Sequence, residues 1–248
     1  AGAEYEALTD YLTVACTANT NGGSNRDATN DYGSHGVNNE ANNISTVNGS
    51  VAVYSIDFGE DTYSSIQIHY SGRTSGRCPT SANANIYLGD YWTDPEGCTL
   101  LGNVKLPPYG SENWDSRNLS TIAAFDGLTG TQTISVQYIG EDGYSTVSNA
   151  RQMYFYKEAL ADLTSYVDAE NATVSTASAS KTGVGGGEGP ARLFAGLGNK
   201  MGINFKEGET PTLTYVTTVP TTVYAYTYMT ANDSAERDPK SWNFYGSS

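Results

Sequence analysis

The sequence predicts an all-β protein built of two β-sandwich modules, and three observations predict it. Apolar and polar residues alternate with a period of two through VAVYSIDF (51 to 58), IQIHY, NIYL, TISVQY and MYFY, the spacing that sends successive side chains to opposite faces of a sheet. Gly, Asn, Asp and Ser fill the intervals, and these residues favour turns. Composition agrees, with Gly 27 and Tyr 19 against only 16% charged residues, a profile of short strands and polar turns rather than of helices.

In the first of these stretches Ala52, Tyr54, Ile56 and Phe58 fall on one face, and the later stretches repeat the theme of a sandwich or barrel. Helical spacing occurs in YKEALADLTSYV (156 to 167), where Ala159, Leu160, Leu163 and Val167 share a face; it reads as the piece that joins two domains. ENATVSTASASKTGVGGGEGP, which follows, is low in bulky residues and suits either a flexible linker or a strand followed by a long Gly loop. Alternation resumes in LTYVTTV and in TTVYAYTYM, the latter setting Tyr224, Tyr226 and Tyr228 on one face. The expected organisation is a first module over 1–157, a connector over 158–169 and a second module over 170–248.

Charge and motifs narrow the function classes. The net charge is −14, with 13 Lys and Arg and no basic stripe, which opposes a nucleic-acid partner because phosphate binding needs clustered cations. Nothing in the sequence reads as a membrane span. The start, AGAEYE, has neither an initiator Met nor an apolar stretch, so either a signal peptide has been removed or the chain is a fragment, and a secreted, extracellular or cell-surface protein is expected. Cys16, Cys78, Cys98, His35 and His69 lack the spacing of a metal site. Cys78 and Cys98 flank the strand-like NIYLGDYW, and a local disulfide suits them in an oxidising compartment, which leaves Cys16 as a buried free thiol. GVGGGEG (183 to 189) lacks the GK[ST] of a phosphate loop and reads as a plain loop. No carboxylate pair stands out among the 27 acidic residues, so this chain is not expected to be an enzyme.

Two stretches resemble known families. AEYEA near the start, SIDFG at 55 to 59, IQIHYSG, YLGDYWTDPEGCTLLGNVKLP, the W of GSENWDS, TGTQTISVQYIG and SNARQMYFY together resemble, in order and spacing, a family 6 carbohydrate-binding module over residues 1 to about 157. From Glu170 onward, ENATVSTASAS, ARLFAGLGNKMGINF and YTYMTANDSAERDPKSWNFYGSS resemble the first part of a discoidin, or coagulation factor type C, domain. Both families are galactose-binding-like jelly-roll sandwiches that bind sugars from loops, so the resemblance implies two such modules, the second incomplete in this chain.

The first resemblance assigns roles to particular residues. Trp114 matches a loop tryptophan that stacks on sugar, Asn149 an asparagine before the last strand that hydrogen-bonds it, and Tyr32 the second sandwiching aromatic. A pyranose presents C–H on its faces and O–H around its rim, so an aromatic plate with a few amides suits it; Trp114 equally suits a plug at one end of the sandwich. Glu4 and Glu6 match a structural calcium-binding pair, against which stands Arg151, where that family commonly has Asp. In the second module Ala195 and Gly196 replace a usual Asp-Gly, which weakens any metal there. In NDSAERDPKSW the residues Asn232, Asp233, Arg237 and Asp238 read as a self-bonded loop braced by Pro239, with Trp242 starting an inward-facing strand.

The function expected is non-catalytic binding of a polysaccharide or glycan by a secreted multimodular protein, an accessory region of a glycan-active enzyme. The alternative is a structural or adhesive surface protein that self-associates through the open sheet edge of its unfinished second module. Sequons at Asn43, Asn48, Asn118, Asn171 and Asn232 matter only in a host that glycosylates secreted proteins.

Overall fold

The structure is a computed structural model that describes residues 10–22, 37–72, 76–106, 118–160, 174–179, 202, 204, 206, 208–217, 241–243 and 245. The chain divides into two compact units, one of them Thr9–Asp162 and the other including Leu163–Ser248. Both are all-β among the described residues apart from one 3-10 turn, Cys16–Ala18.

The first unit contains β1 (Tyr11–Ala15), β2 (Asn38–Asn39), β3 (Ile44–Thr46), β4 (Val51–Asp57), β5 (Tyr63–Ser71), β6 (Asn83–Leu88), β7 (Thr99–Lys105), β8 (Asn118–Leu119), β9 (Ala123–Leu128), β10 (Thr131–Ile139) and β11 (Ser148–Tyr156). They form two antiparallel sheets. The smaller has the order β4-β10-β6-β7; the larger has the order β2-β3-β11-β5-β8, with β1 also beside β11 and β9 also beside β5.

The alternation seen in the sequence decides which residues lie between the sheets. Ala52, Tyr54, Ile56 and Phe58 are all buried, as are Ile134, Val136 and Tyr138 on β10 and Ile66, Ile68 and Tyr70 on β5. From β11, Met153 and Phe155 close the same core. The Phe58 ring meets Phe155 edge-on at 5.1 Å, a favoured aromatic geometry that ties one sheet to the other. Val51 and Val53, on the opposite face of β4, are buried as well. The chain after the 3-10 turn runs along that edge, where the Thr20 amide donates to the Val53 carbonyl at 2.7 Å and Asn21 bonds the backbone of both valines.

Three expectations need correction. Residues 156 to 160 form no helix: Tyr156 extends β11, paired with Tyr11 and Ser65, and the Ser65 hydroxyl donates to the Glu158 carbonyl at 2.7 Å. Sheet pairing and the burial of Leu160 override the local helical spacing. The three cysteines are not joined in disulfides. Cys78 precedes β6 and Cys98 precedes β7, and because these strands are antiparallel, with Asn83 opposite Lys105 and Leu88 opposite Thr99, the two thiols belong to opposite ends of the pair. At about 3.3 Å per residue that is well over 15 Å, far beyond the roughly 7 Å limit between bridged Cα atoms. Trp242 starts no inward-facing strand; it lies outside any strand and is 48% exposed.

In the second unit β12 (Val174–Ala179) pairs antiparallel with β13 (Leu213–Thr217), so the Ser- and Thr-rich stretch is a strand rather than a linker. The glycine loop at 183 to 189, the Ala195-Gly196 pair, the tyrosine stripe 224 to 228 and the loop residues Asn232, Asp233, Arg237 and Asp238 lie outside the described residues.

Cys16 is fully buried, as expected, and the Tyr54 hydroxyl donates to its carbonyl at 3.0 Å. Burial pushes the Cys16 thiol up from 9.0 to about 12 and holds the phenols of Tyr54 and Tyr138 well above 10.0. Up to about pH 9 both folded and unfolded chains keep these protons; above it the unfolded chain ionises first, so stability falls as pH rises towards the folded values. Urea titrations should therefore show a declining midpoint between about pH 9 and about pH 11, shallower in a Cys16→Ala variant. Truncation of the inter-sheet contact, Phe155→Ala, should cost about 3–5 kcal/mol in the same assay at neutral pH.

Candidate functional site

Antiparallel partners that lie directly opposite one another share a face. The register places Asn38 of β2 opposite Ser45 of β3, Ser45 opposite Asn149 of β11, and Asn149 opposite Ser71 of β5. Their neighbours Ile44, Ala150 and Tyr70 point into the core, so this row of amides and hydroxyls lies on the outer face of the larger sheet. It is nevertheless buried: Asn38 is 4% exposed and Asn149 9%, with Ser45 and Ser71 also covered.

The row is chemically incomplete. Asn38 Oδ1 and Nδ2 and Asn149 Oδ1 are buried with no hydrogen-bond partner. Leaving such a group unsatisfied costs about 1–3 kcal/mol, and native proteins rarely do so without a use for it. The contrast with the rest of this face is sharp. Further along β11 the Tyr154 hydroxyl donates to Gln152 Oε1 at 3.0 Å, the Tyr156 hydroxyl donates to Gln67 Oε1 at 3.1 Å, and Gln67 Nε2 donates to the Ser120 carbonyl at 2.8 Å. Tyr11 packs edge-on against Tyr154 at 5.2 Å, and His69 stacks on Tyr154 at 6.2 Å. Burial raises the Tyr156 phenol to about 12. In that stretch the tyrosine and glutamine side chains bond one another, whereas Asn38 Oδ1 and Nδ2 and Asn149 Oδ1 have no partner.

Between the two stretches β11 carries a β-bulge. Ala150 pairs with Tyr70 and Gln152 with His69, so Arg151 is the extra residue. On the other edge β3 ends its pairing at Ala150 and β1 begins at Gln152, so the bulge falls in the gap between two short strands. A bulge bends the strand and re-aims a side chain. Arg151 is half-buried, and as the extra residue of the bulge, next to Gln152, which pairs with His69 on the outer face, it is released from the strict alternation and shares that face with Asn149.

Of the residues expected from sequence, Asn149 is in the row. Trp114, Tyr32, Glu4 and Glu6 lie outside the described residues. The chain still constrains two of them: the stretch with Tyr32 leads into Val37 and β2, and the stretch with Trp114 leads into Asn118, which pairs with Tyr70 next to Ser71. Asn38, Ser45 and Ser71 were not anticipated, because the first two lie on strands of two and three residues, too short to show alternation, Ser71 ends β5, and only the pairing register lines them up. The outer face of the smaller sheet was missed too: Tyr87 and Tyr91 stack at 4.1 Å there, and Asn85, Gln137, Asn103 and Asn83 bond one another.

For calcium the described residues do not provide a fit. They contain no group of three or more His, Cys, Asp and Glu able to hold a metal, and a guanidinium at Arg151 repels a divalent cation.

No family model matches the chain, and no curated protein does. Solved structures similar to it include a family 6 carbohydrate-binding module from Clostridium cellulolyticum in complex with xylose, 20% identical with a TM-score of 0.42 over 60% of this chain and 98% of that one. A β-1,3-glucan-binding family 6 module from Bacillus halodurans is 20% identical with a TM-score of 0.42 over 59% and 96%. A family 36 module of a multidomain xylanase from the hindgut metagenome of Trinervitermes trinervoides is 16% identical with a TM-score of 0.39 over 61% and 100%.

Because Asn38 Oδ1 and Nδ2 and Asn149 Oδ1 have no partner in the fold, Asn38→Ala and Asn149→Ala should leave stability unchanged or raise it by about 1 kcal/mol, measured by urea denaturation. A Thr46→Ala change on the core side of the same strands, where the hydroxyl donates to the Ser148 carbonyl at 2.9 Å, should instead cost about 1 kcal/mol.

Proposed function

We propose that the first unit binds a neutral or substituted glycan at the Asn38–Ser45–Asn149–Ser71 row, as a non-catalytic part of a secreted multimodular protein. The unpartnered amide atoms of Asn38 and Asn149 are the observation that carries this reading. A sugar hydroxyl both donates and accepts, so neighbouring hydroxyls on one ring can meet the Asn38 Nδ2 donor and the Oδ1 acceptors of both asparagines. Trp114 and Tyr32, matched by resemblance to sugar-stacking aromatics, are proposed as the apolar plates, each contributing about 1 kcal/mol beyond area burial. Binding at one such site is weak and reversible, which suits an accessory module that gains avidity from its neighbours. The discoidin-like character of the second unit, and its service to a glycan-active enzyme, belong to the same proposal. Calcium at Glu4 and Glu6 is proposed only as a structural ion, and a thermal midpoint indifferent to EDTA would remove it.

One observation favours a competing reading as a structural or adhesive protein. β7 ends the smaller sheet and carries Leu100, 55% exposed, an edge on which a second chain can add. Concentration-dependent sedimentation would support that reading.

The test is a glycan array followed by calorimetry on the best ligand. Asn149→Ala should weaken binding at least tenfold while Tyr87→Ala, on the other sheet, leaves it unchanged. The opposite pattern moves the site to the smaller sheet, and release of reducing ends from any polysaccharide would overturn the non-catalytic assignment.

A further inference from the structure

The basic side chains of the first unit differ in how they are used. Lys157 holds two carboxylates at once, Asp10 at 2.7 Å and Asp61 at 3.1 Å. Arg151 makes no ion pair among the described residues, although the chain has 27 acidic residues against 13 basic ones. Glu40 lies across β3 from the bulge, at the turn after β2, but its carboxylate accepts from Asn43 Nδ2 at 3.0 Å. A half-buried guanidinium has lost part of its hydration, and its planar set of five donors matches carboxylates and other oxyanions two bonds at a time. Leaving it without an anion is unfavourable, and the bulge that sets it on the outer face keeps it there.

Its position relative to the asparagine row gives the cation a purpose. Asn149 and Arg151 are two residues apart on one strand, and with the bulge both lie on the outer face, about 7 Å apart. That is roughly the span from a ring hydroxyl of one sugar to an acidic substituent on the same or the adjoining ring.

We propose that the glycan seated on the Asn149 row carries an anionic substituent, a uronate carboxylate or a sulfate ester, which Arg151 binds through its guanidinium fork. The proposal rests on the glycan-binding reading of the row and specifies the ligand class within it. Asn149 and Asn38 bond the hydroxyls, and Arg151 selects the substituent.

The experiment measures affinity of the full chain by calorimetry for two matched pairs: glucuronoxylan with its carboxyl-reduced form, and carrageenan with its desulfated form. Wild type should prefer the charged member of at least one pair about tenfold or more, and the pair that shows the preference identifies carboxylate or sulfate as the source. Arg151→Gln should bring the charged member down to the affinity of its neutral partner, whose own binding stays unchanged. Arg151→Lys should recover only part of the preference, because it keeps the charge and loses the fork, and Asn149→Ala should weaken both members. Equal affinity of wild type and Arg151→Gln for every ligand, with Asn149→Ala still disrupting binding, overturns the role of Arg151 and leaves the glycan site standing. Absence of binding to all members by wild type, while other glycans bind independently of Asn149, overturns both. Circular dichroism and thermal midpoints of the variants separate these outcomes from misfolding.

Discussion

The pairing of β11 is the constraint on which the rest of the first unit depends. This strand lies in the interior of the larger sheet, with β5 on one side and both β3 and β1 on the other. Its alternation sends Met153 and Phe155 into the core and Tyr154 and Tyr156 outward. Two partners share one edge, and Phe155 must face Phe58 while Asn149 faces away, so the register has almost no freedom: a slip by one residue would exchange the two faces. The bulge at Arg151 reconciles the two halves. It lets the strand pass from β3 to β1 and leaves one long cationic side chain at the transition.

The distribution of satisfied and unsatisfied polar groups follows from the same geometry. Where β1 covers the edge of β11, the outer face is crowded enough for tyrosine and glutamine to bond each other, and the chain after Tyr156 folds back so that Ser65 reaches the Glu158 carbonyl. On the far side of the bulge the strands shorten to two and three residues. Asn38 and Asn149 there are covered while three of their amide atoms stay without a partner. Stability alone does not favour this, since an apolar residue of similar size would remove the desolvation cost. The row is therefore better explained by what it contacts than by what it holds together.

Legibility in the sequence tracked the period of two. The long strands, with Ala52, Tyr54, Ile56 and Phe58 on one face, were readable because each has enough residues to show alternation, and the burial confirms them. The helical spacing failed over 156 to 160 because only Ala159 and Leu160 of its four apolar positions fall there, too few to outweigh the tertiary pairing of Tyr156. The disulfide failed for a related reason: closeness in sequence to one hairpin says nothing about which end of it each cysteine occupies. Asn149 was named by resemblance, but its setting was not readable, since Asn38, Ser45 and Ser71 become its neighbours only through long-range pairing.

Net charge and local charge act over different distances. At physiological salt a charge is screened within about 8 Å, so the acidic surface as a whole discourages a densely charged polyanion at the approach, while Arg151 acts only on groups already seated beside Asn149. Under the proposed reading the two effects oppose each other on a charged chain, repulsion at the approach and attraction at Arg151, and a polysaccharide with sparse acidic substituents meets least of the first. If the proposed site holds such a ligand, its hydroxyls offset the desolvation of the amides, and a single anion within reach of the bulge decides the register in which the chain is held.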